Sequence, residues 1–99
     1  MQLPGFLRRA EDPRAPLALL LYTRPGCHLC EVMKQEIEDA HLPVPYVLRE
    51  VDVDSDPALA ERHGRSVPVL AIEGRVAFKA RLARAQLIAK VERAAARRR

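Results

Sequence analysis

The stretch LALLLYTRPGCHLC, residues 17–30, constrains this chain more than any other. Leu17 to Thr23 is a continuous apolar run, short enough to read as a strand buried on both faces, as in a parallel sheet. The run breaks at Arg24-Pro25-Gly26, and Cys27-His28-Leu29-Cys30 follows. From Cys27 to about His41 the period changes. Cys30, Met33, Ile37 and Ala40 or His41 fall on one face, and Glu31, Lys34, Gln35, Glu38 and Asp39 on the other. That is an amphipathic helix, so the Cys-x-x-Cys pair sits where a buried strand turns into a helix.

The rest of the chain continues the alternation. Pro43 and Pro45 end the helix, and Tyr46 to Val53 reads as a second strand. Asp56-Pro57 supplies an N-cap and a proline at the first helical position. The short helix ALAERH stops at Gly64, read as a glycine C-cap. Val69–Ile72 and Arg75–Phe78 form a hairpin across Glu73-Gly74. Leu87, Ile88, Val91 and Ala95 mark the buried stripe of a last helix. The order is β-α-β-α-β-β-α, an α/β fold without internal repeats. Residues 1–16 read as an irregular arm cut by Pro4, Pro13 and Pro16, in which Phe6 and Leu7 can pack locally. Residues 17–96 form the domain and 97–99 a basic tail.

A chain of 99 residues that is 48% apolar suits one domain with a real core. The N-terminal stretch lacks the pattern of a secretory signal, and LALLLY is too short to span a bilayer. The expectation is a cytoplasmic protein with no membrane partner. Thiols stay reduced in that compartment, so a lone Cys-x-x-Cys there is a catalytic or metal-binding pair sooner than a structural crosslink. The net charge of +4 favours acidic partners without naming one. From Phe78 onward, Lys79, Arg81, Arg84, Lys90, Arg93, Arg97, Arg98 and Arg99 stand against Glu92 alone. They can neutralise phosphates, but a solvated helix face and tail explain them better, since cations near a helix C-terminus are stabilising in themselves. With aromatics at 4% there is little to stack bases on, so nucleic acid is not the favoured partner.

The position of the cysteines carries the chemistry. Cys27 opens a helix, where unpaired N–H groups and the dipole favour an anion and lower a thiol's pKa. Cys30 lies one turn down the same face, within reach of Cys27 and directed at the core. That suits a division of labour in which Cys27 attacks a disulfide and Cys30 resolves the mixed disulfide. His28, between them, and Arg24, in the preceding loop, can place positive charge near the Cys27 sulfur. The alternative for both is a solvated loop side chain.

Two stretches resemble the glutaredoxins. YTRPGCHLC is similar to their active-site segment, in which an aromatic, Ser/Thr, a basic residue and Pro-Gly precede Cys-x-x-Cys. SVPVLAIEG is similar to their second signature, Thr/Ser-Val-Pro followed by a strand and Gly. EVDVDSDPALAERHG, between the two, resembles the second strand and short helix of small glutaredoxin-like proteins. The likeness runs in order from about Leu17 to Val91. It implies the thioredoxin fold, a four-stranded mixed sheet flanked by helices, and a thiol–disulfide oxidoreductase with Cys27 as nucleophile and Cys30 as resolving thiol. Pro68 matches the family's cis-proline, which lies against the cysteines and leaves the peptide groups of Val67 to pair with an extended substrate. The implied substrate is a disulfide-containing protein or a glutathione mixed disulfide. Reducing power comes from a cellular reductase or from glutathione, with no tightly bound cofactor.

The chain also departs from that pattern. Glutaredoxins carry Gly-Gly and an acidic residue after the fourth strand, where they hold the γ-glutamyl end of glutathione. Lys79-Ala80-Arg81-Leu82-Ala83 stands there instead. Arg24 and Arg65 are the cations left to pair with a glutathione carboxylate. The acid and the tryptophan that thioredoxins place around this segment are missing as well. Rival readings are a glutathione-dependent iron–sulfur cluster carrier and a metal-binding module. A structural zinc site needs about four ligands, and the chain offers one Cys-x-x-Cys with His28, His41 and His63 at no finger-like spacing. His41 and His63 read as cations at helix C-termini.

Overall fold

The computed structural model describes residues 14–98. The expected packing of Phe6 and Leu7, and most of the N-terminal arm, lie outside the described residues. Strand β1 spans Leu17–Thr23, helix α1 His28–Asp39 and strand β2 Tyr46–Asp52. A 3₁₀ turn at Val53–Ser55 leads into helix α2, Pro57–His63. Strands β3, Val69–Ile72, and β4, Arg75–Lys79, precede helix α3, Arg84–Arg97. The sheet order is β2-β1-β3-β4, with β1 parallel to β2 and the other pairs antiparallel. The sheet is therefore mixed and four-stranded, in the element order read from the sequence.

One face of the sheet holds the core. Leu17, Leu19 and Leu21 alternate along β1 and meet Met33 and Ile37 of α1, Leu87, Val91 and Ala94 of α3, and Leu70 and Phe78. A strand's period of two and a helix's of 3.6 bring these residues onto facing surfaces. Burial of each large side chain stabilises the fold by about 1.5–3 kcal/mol.

The opposite face is covered differently, and here the reading of β1 as buried on both faces is corrected. Ala18 is exposed and Leu20 only half-buried. The seven-residue α2 and the short turn before it supply the helical cover on this side, near the C-terminal end of β1. The hairpin turn falls at Glu73-Gly74 as expected, with both residues at positive φ, 49° and 83°, the type I′ combination that suits a two-residue loop. The Glu73 carboxylate accepts the Ala18 N–H at 2.7 Å and pairs with Arg98 at 3.3 Å. The basic end is thus not wholly a solvated tail. The last helix runs through Arg97, and the Arg98 side chain, 9% exposed, is docked on the hairpin.

Candidate active site

The four residues Arg24-Pro25-Gly26-Cys27 form a type II β-turn. The Cys27 N–H donates to the Arg24 carbonyl at 3.2 Å, and Gly26 has φ +79°. Proline presets the second position of such a turn, and glycine supplies the positive φ of the third. The turn delivers Cys27 as the N-cap of α1, where its Sγ accepts the Cys30 N–H at 3.2 Å. Sulfur here takes the place that a Ser or Asp oxygen occupies in most caps.

Cys27 and Cys30 are joined as a disulfide, their Cα atoms 5.3 Å apart. The two differ in access: Cys27 is half-buried, while Cys30 is 3% exposed and faces the core. His28 is exposed at the first residue of α1. Among the described residues no group of three or more His, Cys, Asp or Glu side chains comes together in a way that could hold a metal ion.

The second half of the site comes from the loop before β3. Val69 stands opposite Tyr22 in the β1–β3 ladder, which sets Pro68 level with Thr23 and the turn into Cys27. The Val67–Pro68 peptide is cis. Pro68 is fully buried, and its carbonyl accepts the Ala80 N–H at 2.7 Å. Val67 is half-buried and lies outside the ladders, which begin at Val69; Arg65 is exposed.

Ala80 belongs to the stretch that replaces Gly-Gly-acid, and it has φ +65°. The backbone at this point takes a conformation natural to glycine although none is present. Beside it lies a groove of about 290 Å³ lined by Leu29, Val32, Met33, Glu36, Ala80, Arg81 and Leu82. Leu29 and Val32, 40% and 37% exposed, give that side of the disulfide an apolar surface.

The structure places Arg24 differently from a free cation beside a thiol. Its Nε and Nη2 donate to the two carboxylate oxygens of Asp54 at 3.0 and 3.1 Å, and its Nη1 donates to the Gly64 carbonyl at 2.9 Å. The Asp54 carboxylate holds the guanidinium pKa above its usual value. Asp54 is itself fixed by a turn in which its N–H donates to Asp52 Oδ1 at 2.8 Å.

At the α2 terminus Gly64 is the C-cap, as read, with right-handed backbone at φ −57°. It is glycine because a Cβ there would collide with the Ala60 carbonyl oxygen and approach Arg24 Nη2 to 2.9 Å. His63 is not a solvated C-terminal cation. It is 6% exposed and stacks on Tyr22 with ring centroids 4.4 Å apart. Burial first, and then the charges of Arg62 and Lys79, lower its pKa and favour the neutral ring. His41, exposed and just past the end of α1, is placed as expected, although at φ 47°. Sequence reasoning did not find Asp54 or the Tyr22–His63 stack; the run Asp52 to Asp56 marks a turn without showing what it faces.

Comparison with known proteins agrees with this architecture. The sequence profile of the Glutaredoxin-like domain (DUF836) matches residues 18–92. No curated protein matches the sequence. Among solved structures, a structural-genomics target protein from X. campestris is 30% identical, with a TM-score of 0.64, covering 76% of this chain and 96% of that one. A thioredoxin variant from Halobacterium salinarum NRC-1 is 20% identical with a TM-score of 0.60, covering 96% of this chain and 88% of that one. Trxlp from Edwardsiella tarda EIB202 is 13% identical with a TM-score of 0.53, covering 91% and 94%. These likenesses identify the arrangement as the thioredoxin fold.

Proposed function

Since this chain belongs to the glutaredoxin-like domain family (DUF836), we propose that it is a thiol–disulfide oxidoreductase. The observation that carries the reading is the Cys27–Cys30 disulfide at the N-terminus of α1, with Cys27 half-buried and Cys30 fully buried. A redox-active pair needs that asymmetry, because only one sulfur should meet the substrate.

In the reduced protein the Cys27 thiolate attacks one sulfur of a substrate disulfide. The other substrate sulfur leaves as a thiolate and takes up a proton. Cys30, deprotonated, then attacks Cys27 Sγ, which releases the second substrate thiol and leaves the Cys27–Cys30 disulfide. Two electrons and two protons from glutathione or a dithiol reductase restore the starting state. The α1 N-terminus, with His28 beside it, favours the thiolate. Val67, held out of the ladder by Pro68, offers main-chain groups to an extended substrate, and Leu29 and Val32 offer apolar surface next to the disulfide. A disulfide-bearing protein fits these features better than glutathione does, given Ala80 and Arg81 in place of Gly-Gly-acid.

The test is trapping. Cys30→Ser should accumulate a mixed disulfide through Cys27, and Cys27→Ser should accumulate none. The wild-type pair should equilibrate with glutathione buffers at roughly −200 to −270 mV, the range between glutaredoxins and thioredoxin. Full reductase activity in both serine variants would overturn the proposal.

A further inference from the structure

Arg24 contributes to the site twice. Its main-chain carbonyl closes the turn that carries Cys27. Its side chain ties that turn to two other segments, the Asp54 carboxylate and the carbonyl of Gly64 at the end of α2. Only Arg65, Ser66 and Val67 separate Gly64 from Pro68, and the Ser66 N–H donates to the His63 carbonyl at 2.8 Å. One guanidinium therefore joins the turn that carries Cys27 to the end of α2, three residues before Val67. The Tyr22–His63 stack braces the same junction from residues adjoining both ends. Gly64 leaves no room for a side chain between α2 and Nη2.

We propose that Arg24 is a positioning residue: it fixes the spacing between the Cys27 turn and the Val67–Pro68 loop, and so selects for disulfides held in an extended peptide. The inference rests on the exchange reactivity proposed above. An extended peptide has to meet both loops at once, whereas a small disulfide needs only Cys27 Sγ. Two other roles would require a different arrangement. A residue acting on the thiolate by charge alone needs no bidentate partner, and lysine would serve. A ligand for a substrate carboxylate needs its guanidinium turned to solvent, whereas Nε, Nη1 and Nη2 of Arg24 each donate to a partner within the chain.

The experiment compares two substrates: a quenched peptide pair joined by one disulfide, and hydroxyethyl disulfide. Arg24→Lys keeps the charge and loses the two-sided grip. Asp54→Asn keeps Arg24 and removes its ionic partner, and serves also if the first variant folds poorly. Each should lower kcat/KM for the peptide by roughly two- to fivefold, the scale of an ion pair whose side chains are about half exposed. Hydroxyethyl disulfide should be reduced at the wild-type rate, and the pH profile of Cys27 alkylation should not move. Equal losses on both substrates, with that profile displaced to higher pH in Arg24→Gln and restored in Arg24→Lys, would assign Arg24 an electrostatic role and overturn the proposal. So would unchanged rates on both substrates with only a lower melting temperature. A wild-type protein that reduces neither substrate would instead overturn the exchange reading, which keeps the two failures apart.

Discussion

The two faces of the sheet are built on different principles. Between the sheet and helices α1 and α3 lie Leu19, Leu21, Ile37, Leu87 and Val91, all fully buried and apolar. Against α2 lie a buried histidine stacked on a tyrosine, a bidentate arginine, and a strand whose Ala18 and Leu20 are incompletely covered. Apolar packing is non-directional and scales with area, so the first face can hold the sheet together without specifying loop positions closely. Hydrogen bonds and ring stacking have fixed distances and angles. The second face uses them where the Cys27 turn meets the loop before β3. Apolar burial is concentrated on one face, and the directional contacts between the Cys27 turn and α2 on the other.

Truncating neighbouring residues of β1 sets the two faces directly against each other. Leu21→Ala, on the α1/α3 face, should destabilise the protein by about 2–5 kcal/mol, the range for a buried leucine that leaves a cavity. Leu20→Ala, on the half-covered face, should cost about 1 kcal/mol, in proportion to the area it buries. Denaturant unfolding of both variants checks this, and equal costs would break the division drawn above. A smaller effect is expected at Ala80, where α3 is joined to the sheet. An L-residue at φ +65° is strained, and glycine relieves that strain at an entropic cost. Ala80→Gly should therefore gain about 0.5–1 kcal/mol net. A loss would mean that Ala80, which lines the groove with Leu29 and Val32, contributes more packing through its methyl than its backbone costs.

What the sequence disclosed follows the same division. β1 and β3 were legible to the residue, and α1, β2, α2 and β4 to within one or two, because burial on one side imprints a period on the local sequence; of α3 the buried stripe was legible and the ends were not. The turn Arg24 to Cys27 was legible because Pro-Gly has few other uses. The α2 face was not. Arg24 lies 30 residues from Asp54 and 40 from Gly64, and nothing in either neighbourhood names the other. Gly64 and His63 illustrate the cost of local inference. A glycine after a short helix reads simply as its cap, and a histidine before it as a helix-end cation. The fold gives both another role by bringing the β1 terminus against them. Ala80 is intermediate: the missing glycine pair was visible, while the conformation retained without it was not.

The mildest expected effect concerns the one buried histidine among the described residues. His63 has its pKa lowered in the folded state, so near and below its ordinary value of about 6.5 the unfolded chain binds the proton more readily than the native one. Stability rises with pH wherever the unfolded state holds more protons. The contribution of the neutral ring is therefore complete above about pH 6.5 and is lost as pH falls from there through the lower folded-state value. Thermal unfolding of the wild type should show that decline, and His63→Phe, which keeps an aromatic ring against Tyr22, should flatten it. The same variant separates the two struts that brace the site. If the stack acts only through stability, His63→Phe leaves peptide-disulfide reduction unchanged at neutral pH, and alignment of the Cys27 turn with the Val67–Pro68 loop rests on Arg24. If peptide reduction falls while hydroxyethyl disulfide does not, the ring and the guanidinium share that task, and the polar face is a single aligning unit rather than one clamp beside a packed histidine.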